Sequence, residues 1–211
     1  MLTFQEKNHE YRWDDIVVPS VTHILSSVGV KKIDANGQEH WNSITGAEFM
    51  PDDERYSIFG NEFHKFCAYY MKGKDCTYDI ALEPWIKGFF KWVRDWGEEF
   101  TPIYDLIEKP LYSQRYGYAG TMDLPAYDKK GRVWVIDWKT SVSKAKHWDW
   151  QLAGYTQLLQ EELGVRARKG MMNTMSVRVK ENSYTPSICK GAVVKGNFNK
   201  FNSIYNVFKM V

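Results

Sequence analysis

Between residues 133 and 139 the chain reads Val133-Trp134-Val135-Ile136-Asp137-Trp138-Lys139, and no other segment constrains the fold as tightly. Its first four residues are apolar at odd and even positions alike. A strand sends alternate side chains to opposite faces, so both faces of this one must be covered, and it belongs in the middle of a sheet. Covering such a sheet takes helices, and the flanking sequence supplies them. Trp85, Phe89, Trp92, Val93, Trp96 and Phe100 form one apolar stripe over 84–100, opened by Pro84, which the first helical turn tolerates. That stripe reads as core rather than as a base-stacking platform. Leu152, Tyr155, Leu159 and Leu163 line one side of a second helix over 148–163, stopped by Gly164.

The remaining elements follow from periodicity and punctuation. Residues 11–18 predict a strand running into Pro19, and Ser20 ahead of Val21 is a helix-capping signal. Residues 31–58, polar and broken by Gly37, Gly46 and Pro51, predict a long irregular segment. Phe63, Phe66, Cys67, Tyr70 and Met71 predict a helix over 61–72. Strands are expected at 106–113, 117–127, 132–139, 170–180 and 184–194, with a closing helix at 199–210. The expectation is an α/β protein, a mixed α/β sandwich in which a central mixed β-sheet is flanked by helices. A chain of 211 residues suits a single domain over 1–211, with its core at about 60–195.

Composition removes several classes of function. Cys67, Cys76 and Cys189 are scattered, with no C-x-x-C pair, so neither a disulfide framework nor a zinc site is expected. Three thiols cannot ligate a four-cysteine iron–sulfur cluster, so none is expected. No apolar run reaches the roughly 18 residues of a membrane span, and Met1 to Glu10 lacks the apolar stretch of a signal peptide. A cytoplasmic protein without a membrane partner is expected. The net charge of +2 hides an uneven spread: residues 161–211 hold nine Lys and Arg against three Glu. That surplus is compatible with a polyanionic partner.

The chemistry concentrates around the central strand. If Asp128 pairs with Arg132 across a three-residue loop centred on Lys130, the register carries Asp123 opposite Asp137, with Cβ atoms about 4.5–5.5 Å apart. Two carboxylates that close repel unless a cation lies between them. Lys139, two residues beyond Asp137, points to the same face. Two acids and an amine converging there make a site for a hard cation, Mg²⁺ or Mn²⁺, as one ion or two. Asp123 and Asp137 are the expected ligands, with the backbone carbonyl of Trp138 as another. Lys139 would orient water or stabilise charge on phosphorus, which suits phosphodiester hydrolysis.

Five blocks in order carry a family resemblance: Pro19-Ser20-Val21-Thr22-x-Ile24-Leu25, Gly60-x-x-x-His64, Gly120-Thr121-Met122-Asp123, Val135-Ile136-Asp137-Trp138-Lys139-Thr140-Ser141 and Gln151-x-x-x-Tyr155. Together they resemble the RecB-type branch of the PD-(D/E)XK nuclease superfamily, and the first block resembles the start of mitochondrial genome-maintenance exonucleases and related phage nucleases. The resemblance implies a restriction-endonuclease-like core and His64 as a further metal ligand. It also implies that Gln151 and Tyr155 share a helix face near the DNA backbone. Ser20, Thr22, Thr140 and Ser141 are candidates for hydrogen bonds to phosphates, with capping and turn roles equally open. Glu108 is a candidate to assist the metal through water. The implied activity is exonucleolytic, on DNA that is single-stranded or has a free end, in phage or genome-maintenance recombination and repair beside a separate partner protein. For a phage-encoded chain the compartment would be the host cytoplasm. The alternatives are a structure-specific or restriction-like endonuclease, a non-catalytic DNA-binding relative, and an enzyme acting on another phosphate ester.

Overall fold

The computed structural model describes residues 1–5, 10–33, 39–43, 54–141, 143–164 and 172–210. The chain opens with a three-stranded antiparallel sheet, β1 (Leu2–Gln5), β2 (Glu10–Trp13) and β3 (Ile16–Val18), followed by α1 (Val21–Ser27). The hairpin of β4 (Gly29–Ile33) and β5 (Glu39–Ser43) precedes two long helices, α2 (Glu54–Met71) and α3 (Glu83–Trp96). β6 (Phe100–Pro102), the pair β7 (Leu111–Ser113) and β8 (Tyr118–Gly120), and the hairpin β9 (Leu124–Asp128) and β10 (Val133–Lys139) lead into α4 (His147–Leu163). β11 (Met172–Lys180), β12 (Ser183–Lys190) and α5 (Ala192–Phe208) complete the order.

The main sheet has five strands in the order β12-β11-β10-β9-β6. β10 lies at its centre, parallel to β11 and antiparallel to β9. A parallel neighbour needs a crossover, and α4 provides it. The two-sided apolar run of β10 is explained by two cores. Val133 and Val135 pack with Val21, Leu152, Leu159 and Phe201 from α1, α4 and α5. Trp134, Ile136 and Trp138 pack with Phe63, Phe89 and Trp92 from α2 and α3. Trp138 meets Phe89 and Trp92 edge-to-face, at centroid distances of 5.2 and 5.4 Å. Each such buried side chain contributes about 1.5–3 kcal/mol. The α3 aromatic stripe is therefore core, and the fold is the expected mixed α/β sandwich. Gly88 of α3 sits hard against the β11–β12 turn. A Cβ there would lie 2.5 Å from the carbonyl oxygens of Lys180 and Ser183, so only glycine lets helix and turn approach this closely. No helix among the described residues is long and apolar enough to cross a membrane.

Several predicted elements are corrected. The 11–18 strand divides into β2 and β3 at Asp14 and Asp15, whose φ angles of 46° and 66° turn the chain, and β1 pairs alongside without having been predicted. The segment read as irregular over 31–58 carries β4–β5 and the start of α2, while 34–38 and 44–53 lie outside the described residues. The helix expected over 84–100 ends at Trp96, and Phe100 opens β6 instead. The strand expected over 106–113 shrinks to β7 behind a 3-10 turn at Tyr104–Leu106. The strand expected over 117–127 breaks at Thr121–Asp123 into β8 and β9. At the far end, β12 stops at Lys190 rather than 194, and α5 starts at Ala192 rather than 199. Val193 and Val194 favour a strand locally, but helical geometry buries Val194 against Ala153 and Cys189, and packing overrides propensity.

Candidate metal centre

The β9–β10 turn holds the site in register. The Asp128 N–H donates to the Arg132 carbonyl at 2.9 Å, and Gly131 takes a φ of 71°, a conformation glycine adopts without strain. The Asp128 carboxylate accepts from the backbone N–H groups of Lys130 and Arg132, both at 2.9 Å, and from Trp134 Nε1 and Arg132 Nε. Burial alone would raise this acid. The Trp134 indole and the Arg132 donors override burial and hold it at about 2. So tied, the turn pairs Tyr127 with Val133 and, three steps on, Leu124 with Ile136. The ladder ends one step short of Asp123 and Asp137, which lie close enough for the Asp123 charge to act on Asp137.

At that step the backbone ladder stops and side chains replace it. Asp123 Oδ2 accepts the Trp138 N–H at 2.8 Å, and His64 Nδ1, reaching down from α2, lies 3.0 Å from the same oxygen. Trp138, whose carbonyl is an expected ligand, also joins the cluster through its N–H. Lys139 Nζ lies 2.8 Å from Asp137 Oδ2. This is an ion pair rather than an aligned hydrogen bond, and Asp137 Oδ2 is enclosed without a hydrogen-bond partner of its own. Glu108 completes the group. Its backbone adopts a φ of 50°, unusual for a residue with a side chain, and its N–H donates to the Met122 carbonyl at 3.1 Å. One ligand atom each from His64, Glu108 and Asp123 lie within 4.8 Å of one another. Expected as an outer assistant, Glu108 stands inside the cluster. A strained backbone at a cluster of acids is where functional sites tend to store strain.

The charges are crowded. Asp123 and Asp137 are 7% and 2% exposed. Burial, and then the Asp123 charge, push Glu108 up to about 8. Burial likewise raises Asp137 to about 6, against the opposing pull of Lys139. For His64, burial would lower the imidazolium, but Asp123 outweighs it and raises the group to about 9. Asp123 stays below its usual value because His64, Lys139 and the Trp138 N–H offset its burial. Protons are thus retained where oxygen and imidazole donors converge. That donor set suits a hard divalent cation, which would displace those protons.

Glu108, Asp137 and His64 ordinarily titrate at 4.5, 3.8 and 6.5, and all three are raised in the fold. The cation-free folded chain therefore holds more protons than the unfolded chain, and its stability falls as pH rises from about 4 to about 9. Thermal unfolding in chelator at pH 5 to 9 should show a falling Tm, and saturating Mn²⁺ at pH 8 should restore it. A Tm in chelator that climbs across this range would contradict the assignment.

The α4 residues named by the sequence stand over the cluster. Gln151 Nε2 donates to the Tyr155 hydroxyl at 3.0 Å, and both side chains are buried. Burial and then the nearby Asp137 charge push the Tyr155 hydroxyl well above its usual range. The Tyr155 ring packs on the backbone of Gly120, where a Cβ would lie 2.7 Å from Cε1 and 3.1 Å from Leu158 Cδ1. Gly120→Ala is expected to lower stability by about 1–3 kcal/mol through overpacking, read as a reduced urea midpoint. Ser20 caps α1, accepting the His23 N–H at 3.0 Å, and bonds Thr22 at 2.9 Å. It also forms a parallel bridge with Ala119 of β8. Thr140 and Ser141 follow β10, half-buried and exposed respectively.

Sequence reasoning missed Tyr11. This residue of β2, 2% exposed, reaches Thr121 Oγ1 at 2.8 Å and ties the N-terminal sheet to the bend preceding Asp123. Thr121 was visible in its motif. A contact across 110 residues left no local trace at Tyr11. The sequence matches no family model and no curated protein sequence.

Proposed function

We propose that the chain is a metal-dependent deoxyribonuclease of PD-(D/E)XK type that hydrolyses phosphodiester bonds at DNA ends. The observation that supports this reading is the approach of ligand atoms from His64, Glu108 and Asp123 to within 4.8 Å of one another, beside the Asp137–Lys139 ion pair at the end of the central strand, whose charges act on Asp123 and His64. A bound Mg²⁺ or Mn²⁺ would neutralise phosphate charge and lower the pKa of the attacking water.

The protein's own groups have distinct tasks. His64, Glu108, Asp123 and Asp137 would hold the ion. The Trp138 N–H and His64 both engage Asp123 Oδ2 and so fix the rotamer of its carboxylate. Asp137 holds the Lys139 ammonium at the mouth of the site, where it stabilises negative charge developing on a phosphoryl oxygen. In the reaction a water oxygen bonds to phosphorus, one P–O ester bond breaks, and the departing oxygen takes up a proton. Tyr155 and Gln151 brace the floor behind Asp137.

The test is digestion of end-labelled linear DNA and covalently closed circular DNA with Mg²⁺ or Mn²⁺. An exonuclease degrades the linear form and leaves the circle intact. Comparable cutting of the circle would replace that reading with an endonuclease, and no cleavage of either polymer would overturn the nuclease reading.

A further inference from the structure

We propose that β11 and β12 extend the site sideways into a row of phosphate-binding groups. The row begins beside Lys139 with Ser176 and Arg178, continues through Lys144 and ends at Lys146 and Lys200. It would hold the DNA backbone adjoining the scissile phosphodiester, and it rests on the nuclease reading above.

The register places the first members. Parallel pairing sets Asp137 beside Ser176 and Lys139 beside Arg178. Residues paired across neighbouring strands share a face, and the strands lie about 4.8 Å apart. The alternation of β11 agrees: Met175, Val177 and Val179 fill the α2–α3 core, while Met172 joins the α4 core. Ser176 and Arg178 therefore stand on the α4 side with Asp137 and Lys139. Ser176 is 2% exposed and its hydroxyl has no hydrogen-bond partner. A buried hydroxyl left unsatisfied costs about 1–3 kcal/mol, so this donor at the floor of the row calls for an acceptor.

The next strand continues the line. Ser187 of β12 pairs with Ser176, and Thr185 pairs with Arg178. The loop after β10 brings Lys144 over this face, where its Nζ donates to Ser187 Oγ at 2.6 Å and to Asp149 at 2.9 Å. Beyond it opens a cavity of about 330 Å³ lined by Lys144, Lys146, Asp149, Trp150, Asn197 and Lys200, three cations against one carboxylate. From Asp137 to Ser187 is two strand spacings, about 10 Å. The acids and His64 gather on the β9 side of Asp137, and the cations gather on the β11–β12 side. That polarity gives a strand a direction, with the reacting phosphate at Lys139 and its neighbours over β11 and β12. Cations spaced along a line recognise a repeated phosphate rather than a single anion.

The probe is a labelled single-stranded oligonucleotide, bound in chelator so that it is not cut, with anisotropy measured against NaCl concentration. Arg178→Gln should weaken binding and lower the slope of log K against log salt by about 0.7, and Arg178→Gln with Lys146→Gln and Lys200→Gln by about 2. Arg178→Lys keeps the charge and should restore the slope, which separates a lost phosphate contact from a damaged fold. Unchanged affinity and slope in the charge-removing variants would overturn the row, as would failure of the parent chain to bind the oligonucleotide. The two readings fail separately. Parent protein that binds through these residues but never cleaves leaves the row standing without the nuclease. Parent protein that cleaves while the variants bind normally leaves the nuclease standing without the row.

Discussion

Asp137→Asn should reduce Mg²⁺-dependent DNA hydrolysis by roughly a thousandfold or more, since in the proposed mechanism one substitution removes an ion ligand and the anchor of the charge-stabilising lysine together. Asp137 is 2% exposed, so the isosteric change is preferred to alanine, which would add a cavity to a chemical loss. Burial already raises the Asp137 carboxyl to about 6. The neutral amide therefore imitates a state the cation-free protein adopts in mild acid, and Tm in chelator at pH 7 should match or exceed that of the parent. The expected pattern is lost turnover with retained stability. Turnover within tenfold of the parent would mean that Asp137 lies outside the reaction.

Lys139→Met should cost about a hundred- to a thousandfold in turnover, the usual consequence of removing one group that stabilises transition-state charge. Its signature differs from that of Asp137→Asn. Methionine keeps the aliphatic stem and removes the ammonium that lies 2.8 Å from Asp137. The remaining site is more negative, so Mn²⁺ should bind at least as tightly by calorimetric titration. The fall should appear in kcat while KM for DNA changes little. A loss of DNA binding as large as the loss of turnover would instead make Lys139 a simple phosphate anchor.

The parts of this site that were legible in the sequence are those with a local cause. Asp128, the turn residues and Gly131 fix a hairpin loop, and the loop sets the β9–β10 register up to Leu124 and Ile136, the neighbours of Asp123 and Asp137. The two-sided apolar run placed β10 at the sheet centre, and the Leu152–Leu159 stripe predicted α4 to within a residue of its ends. Other parts depended on distant chain. Nothing near Glu108 announces a φ of 50° that swings its carboxylate toward His64 and Asp123. The break between β8 and β9 interrupts an unbroken strand pattern, and it follows Gly120, whose backbone lies against the Tyr155 ring. β4 and β5 lack the apolar alternation that marks a strand, so their pairing was hidden in a polar stretch. Packing decided the start of α5, where Val193 and Val194 suggested a strand.

A bound metal ion would have a definite place in this fold. Crystals of the full chain soaked in Mn²⁺ and measured near the manganese absorption edge would locate it by anomalous scattering. A peak is expected between Asp123 and Asp137, within coordination distance of oxygens from both and bordered by His64 and Glu108, with the Lys139 ammonium facing the same space. A fully soaked crystal with no peak there, or with manganese bound only at other residues, would contradict this placement.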